Sequence, residues 1–250
     1  MTVVEHLRRA ATDALADAAA LDIRCIGGAL AVPGLVDPST RALVVAPNLH
    51  WHDVVLPSLT DHLGVELLVE NEANLAALAE LRYGAAQGLS SFVFVSGGVG
   101  IGGGLVLDGA VVRGTNGFAG ELGHVVVDPE GPSCACGSRG CLEAVIGSDA
   151  AAAPEDISAA LATALRSVVH LVDPQAVILG GTLVALPDGV LEEVADRLCR
   201  ETVGGRWHPC DIRRSTLAGD APLVGAATTA LDGLVADPTT ITVSSDALTA

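Results

Sequence analysis

Four metal-binding side chains lie within a short stretch: His124, Cys134, Cys136 and Cys141, separated by nine, one and four residues. Three thiolates and an imidazole make a tetrahedral set suited to zinc, and four protein ligands imply a closed, structural site. Gly137 and Gly140 permit the sharp turns that wrap such a loop around one ion. The other three cysteines, Cys25, Cys199 and Cys210, are isolated. In a reducing compartment a local cluster points to metal before disulfide, the competing reading being buried thiols beside an unrelated histidine.

The loop needs a scaffold, and the composition supplies one. Half of the 250 residues are hydrophobic, 17% are charged and 29 are glycine, which suits a globular α/β fold with many tight turns. The 13 basic residues, all arginine, against 30 acidic ones leave a net charge of −17, which argues against direct nucleic-acid binding by this chain. No apolar run reaches the roughly 18 residues that span a bilayer, and the N-terminus lacks a signal-peptide pattern, so a cytoplasmic location with no membrane partner is expected.

Periodicity then places the elements. Val4, Leu7, Ala11, Leu15 and Ala18 predict a helix over 4–20, and Ile23 to Val32 reads as a buried strand stopped by Pro33-Gly34. Pro38, Pro47 and Pro57 keep the following stretch in loops and short elements. A strand over 65–69 leads into Glu70-Asn71-Glu72 and a helix over 73–86. Beyond it come a strand at 92–95, a glycine-rich turn at 97–104 and a hairpin over 105–112 pivoting on Asp108-Gly109. Helices are expected around 157–172, 190–198 and 223–234, with short strands at 176–179 and 211–215 and a loose tail over 237–250.

The block Gly98-Val99-Gly100-Ile101-Gly102-Gly103-Gly104, Asp108-Gly109, Gly117 to His124 and Cys134 to Glu143 resembles the ROK family of repressors and sugar kinases. Weaker matches are Pro33 to Asp37, Asn48-Leu49-His50-Trp51, Glu70 to Asn74, and Asp173-Pro174 leading to Gly180-Gly181. The resemblance covers about residues 21–236. It implies a two-lobed α/β fold of the actin and hexokinase type, RNase H-like, with a structural zinc loop. The lobes would be a small one over 1–86, completed by a C-terminal helix over 222–236, and a large one over 87–221. It also implies a homodimer.

The resemblance further implies that Asn71, Glu121, His124 and Glu143 hydrogen-bond sugar hydroxyls, with the backbone of Gly34 close by. His124 would serve zinc with one ring nitrogen and sugar with the other. Glu72 stands where ROK kinases place an aspartate as general base, one methylene further out. Gly98, Gly100, Gly102, Gly180 and Gly181 correspond to the ATP side. No Asp-x-Gly-Gly-Thr hairpin occurs in the sequence, and Val99 replaces a common threonine. The small lobe is therefore expected to be truncated at its N-terminal strands and the ATP site to be vestigial. This pattern favours the sugar-sensing domain of a transcriptional regulator. The alternative is an ATP-dependent sugar kinase acting on a hexose or N-acetylhexosamine, with Glu72 as base and ATP and magnesium as its cofactors.

Overall fold

The computed structural model describes residues 3–54, 67–147 and 152–237. The expected tail from residue 238 onward lies outside them. In chain order the elements are α1 (Val3–Ala20), β1 (Gly28–Val32), β2 (Leu35–Val36), β3 (Leu43–Ala46), β4 (Trp51–Val54), β5 (Leu67–Asn71) and α2 (Glu72–Tyr83). There follow β6 (Phe92–Gly97), β7 (Ile101–Leu107), β8 (Ala110–Val111), α3 (Leu142–Ile146), α4 (Pro154–Val172), β9 (Ala176–Gly181), α5 (Asp188–Glu201), β10 (Asp211–Arg214) and α6 (Ala221–Ala236).

The central five-stranded sheet runs β10-β9-β6-β7-β8. β6 pairs parallel with β9 and antiparallel with β7, while β10 extends the parallel side. Successive side chains of a strand point to opposite faces, and β6 shows this cleanly. Phe92 and Phe94 pack with Ala176 and Ile178 beneath Ala73, Ala76 and Ala77 of α2 and Ala221 of α6. Val93 and Val95 pack on the other face with Val177 and Leu179, against Leu161 and Leu165 of α4 and Val190 and Val194 of α5. Helices thus cover both faces of the sheet, which is why β6 and β9 read as unbroken apolar runs.

A second region holds the parallel pair β1-β5, in register from Gly28↔Leu67 to Val32↔Asn71, and the antiparallel sheet β2-β3-β4. Val32, Val36, Leu43 and Ala46 form its core, with Leu7 of α1 packed against them. Leu7, Ala11, Leu15 and Ala18 are the half-buried positions of α1, as the spacing predicted.

Two expectations shift. The first strand begins at Gly28 rather than Ile23, with Ile23 and Ile26 exposed; of the strand expected over 65–69, residues 65 and 66 lie outside the described residues. The glycine-rich stretch is a turn only over 98–100; Gly102 to Gly104 belong to β7, where a Cβ on Gly104 would lie 2.7 Å from the Ala73 carbonyl. Glycine there lets α2 settle on the sheet.

Candidate functional site

The loop between β8 and α3 gathers the cysteine and histidine side chains. A short 3-10 turn, Leu122–His124, sets the histidine, and Cys141 immediately precedes α3. Between them the Cys134 amide donates to the Ser138 carbonyl at 2.9 Å and the Gly137 amide to the Cys134 carbonyl at 3.0 Å, closing a tight turn. Gly137 and Gly140 have φ of +92° and +63°, and a Cβ on Gly140 would fall 1.4 Å from the Asp128 carbonyl oxygen. The turn needs glycine at that position.

One ligand atom from each of His124, Cys134, Cys136 and Cys141 lies within 4.8 Å of all the others. Cys134 Sγ stands 3.6 Å from His124 Nδ1 and Cys136 Sγ 3.7 Å from Cys141 Sγ. A tetrahedral zinc site with bonds of about 2.0 to 2.3 Å has ligand separations of roughly 3.5 to 3.8 Å. The donor set and spacing fit a metal ion. Burial pushes the Cys134 thiol up to about 12, with the Cys136 and Cys141 side chains adding to the rise. A bound cation is what would favour thiolates there.

Beside this loop lies a cleft of about 450 Å³. All six residues proposed from the sequence for substrate, Gly34, Asn71, Glu72, Glu121, His124 and Glu143, line it. They arrive from distant parts of the chain. Gly34 sits between β1 and β2, Asn71 and Glu72 at the junction of β5 and α2, Glu121 and His124 before the metal loop, and Glu143 on α3.

Each carries its own constraints. Asn71 caps α2: its Oδ1 accepts the Ala73 and Asn74 amides at 2.9 and 3.1 Å, and its Nδ2 donates to the Gly34 carbonyl at 2.9 Å. Glu70, paired with Arg113, accepts the Asn71 amide at 3.0 Å. Glu72 lies in the first turn of α2, and burial raises its pKa above the ordinary carboxylate value. Glu121 is also raised, chiefly by burial; the nearby His124 opposes the shift and Glu143 adds to it. His124 turns Nδ1 to the cysteines and holds Nε2 3.7 Å from Glu121 Oε2. Glu143 Oε2 accepts the Ile101 amide at 2.9 Å and the Asn48 side-chain amide at 3.1 Å. Such a ring of carboxylates and amides can accept and donate to a polyol.

The five glycines assigned to a phosphate side divide. Gly100 and Gly102 line the cleft. Gly98 lies in the β6–β7 turn, its amide bonded to the Gly100 carbonyl at 2.8 Å. Gly180 and Gly181 end β9, paired with Ser96 and Gly97 on the strand that enters that turn. Asn48, His50 and His52 also line the cleft, although no role follows for them from the sequence. For Asn48 and His50 the only signal was the Asn48-Leu49-His50-Trp51 match, and His52 had none.

The model of the ROK family matches residues 1–153 and 147–232. The chain belongs to the ROK family. Among its relatives, the glucokinase of Thermotoga maritima is 33% identical over 244 residues, covering 78% of this chain and 76% of that one. The xylose repressor of Bacillus subtilis is 28% identical over 236 residues, covering 83% of this chain and 61% of the repressor. This ROK chain therefore spans about three fifths of the repressor's length. A solved ROK glucokinase from Streptomyces griseus, in complex with glucose and AMPPNP, superposes with a TM-score of 0.77 at 28% identity, over 92% of this chain and 88% of that one. The α/β fold is that of the ROK sugar kinases. Among the described residues no helix is long and apolar enough to cross a membrane.

Proposed function

We propose that this chain binds a hexose or related sugar in the cleft and acts as the sugar-sensing body of a transcriptional regulator. The observation that carries the sugar reading is the convergence of Gly34, Asn71, Glu72, Glu121, His124 and Glu143 on one cleft of about 450 Å³. Similarity to both a glucokinase and a xylose repressor supports a sugar as the ligand class. Zinc is the ion we assign to His124, Cys134, Cys136 and Cys141. When bound, it would fix the imidazole tautomer through Nδ1 and leave Nε2–H for the cleft. Carboxylates Glu121 and Glu143 accept sugar hydroxyls, and His124 donates. Sugar binding then shifts the balance between two conformations of the longer regulator.

Regulation is preferred to phosphoryl transfer because the residues assigned to the sugar line one cleft, while Glu72 stands at the position of the catalytic aspartate and Val99 at that of a threonine in the kinases that the sequence resembles. A side chain one methylene longer misplaces the base by about 1 Å, which can cost roughly a hundredfold in rate. The kinase reading keeps one specific support: Glu72 still offers a carboxylate at the cleft, raised by burial toward the range of a general base. Calorimetry against hexoses, N-acetylhexosamines and xylose, run beside coupled turnover assays with ATP and magnesium, separates the two. Binding without turnover is expected. Turnover that Glu72→Gln abolishes would establish the kinase instead.

A further inference from the structure

The connection from β3 to β4 passes through a short 3-10 turn, Pro47–Leu49, at the edge of the cleft. From it Asn48 Nδ2 donates to Glu143 Oε2 at 3.1 Å, joining positions 95 residues apart. The same oxygen accepts the Ile101 amide at 2.9 Å. A carboxylate oxygen offers two lone pairs, so these two donors fill Oε2, and Oε1, which lies 4.0 Å from Cys134 Sγ, keeps a lone pair as the acceptor for a ligand. The arrangement is built tightly. A Cβ on Gly100 would lie 1.9 Å from Glu143 Oε2 and 2.5 Å from Asn48 Nδ2. His50 and His52, on the far side of the same turn, line the cleft as well.

We propose that Asn48 is a positioning residue: its bond to Glu143 latches the β3–β4 hairpin onto α3 and orients the Glu143 carboxylate toward the ligand. The latch also seats His50 and His52 as a wall of the cleft, so that the hairpin limits which substituents a bound sugar can carry. The ligand half of this proposal rests on the sugar reading; the latch itself does not. An isosteric loss of the donor, Asn48→Asp, and a truncation, Asn48→Ala, remove the bond in different ways, the first by charge repulsion and the second by deletion.

Hydrogen exchange in the ligand-free protein tests the latch directly. Both variants should speed exchange at amides 43–54 by about tenfold, the loss of one charge-assisted bond, while α4 and α5 stay unchanged. Wild-type exchange in both variants would overturn the proposal. Calorimetry with the hexose panel tests the positioning role through a double-mutant cycle. Asn48→Ala should weaken binding about tenfold in the wild-type background and less than twofold on top of Glu143→Ala. Equal losses in both backgrounds would show that Asn48 does not act through Glu143. A wild-type chain that binds no sugar, with both variants still showing the exchange response, would refute the sugar reading and support the latch.

Discussion

His124 presents to Glu121 the ring nitrogen that it does not turn toward the cysteines, with Nε2 standing 3.7 Å from Oε2. One imidazole thereby joins the metal loop to the carboxylate wall of the cleft. Variants at the two positions should separate metal from ligand. Glu121→Ala is expected to keep its zinc and lose sugar affinity roughly ten- to a hundredfold, as a charge-assisted hydrogen bond is removed. His124→Ala should lose both together. Metal analysis and calorimetry on the same preparations check this, and a His124→Ala protein that retained full sugar affinity would break the link.

Cys136→Ser addresses the ion itself. Cys136 is the exposed member of the set, while Cys134 and Cys141 are buried, so the substitution disturbs little packing. Structural zinc binds with an apparent energy on the order of 10 kcal/mol or more, and three remaining ligands would hold it far less tightly. The expected result is a single zinc per wild-type chain, its loss from the variant, and a melting temperature lower by several degrees. Wild-type protein purified under reducing conditions and found free of zinc would refute the assignment.

Much of this architecture could be read from residues whose role is local. The period of Leu7, Ala11, Leu15 and Ala18 marked α1, and the apolar runs of β6 and β9 marked strands buried on both faces. The cluster of His124, Cys134, Cys136 and Cys141 was visible because its four side chains are close in sequence. The sheet β2-β3-β4 was not, since its strands are two to four residues long and punctuated by Pro38 and Pro47. Gly102 to Gly104 read as a turn because the sequence alone does not show that α2 presses on Gly102 and Gly104, and Gly120 and Leu122 on Gly103. Asn48 was visible only within the Asn48-Leu49-His50-Trp51 match, and its bond to Glu143, 95 residues away, was not visible at all.

Glu72 should make stability depend on pH. Burial raises its pKa above the ordinary value of 4.5. A carboxyl raised in the folded state contributes stability that is fully present below its unfolded pKa and is lost as pH rises through the folded one. At neutral pH the ionised group therefore opposes folding. Glu72→Gln should melt higher than wild type at pH 7, by a few degrees at most, and the difference should close as pH falls below 4.5, the ordinary value. Thermal melts across that range measure it, and a variant less stable at neutral pH than at acid pH, relative to wild type, would reverse the sign.

The far end of α2 holds a different carboxylate. Glu80 is fully buried, and it ties three segments together: Oε2 accepts the Ala85 amide at 2.6 Å, while Oε1 accepts the Ser215 hydroxyl and the Leu217 amide. The helix that begins with Asn71 and Glu72 at the cleft is thereby fixed, at its other end, to the connection between β10 and α6. Gly84 makes room for it, since a Cβ there would lie 2.1 Å from Oε2. Removing the carboxylate strands the buried Ser215 hydroxyl and the half-buried Ala85 and Leu217 amides, and each buried, unsatisfied donor costs about 1 to 3 kcal/mol. Partial relaxation and water entry offset some of that sum, so Glu80→Ala is expected to lose about 3 kcal/mol. Urea unfolding should show a lower midpoint at unchanged slope, with zinc content intact because the metal loop lies elsewhere in the fold. A loss below about 0.5 kcal/mol, the range of ordinary surface substitutions, would mean that the three donors find other partners and that Glu80 does not anchor α2.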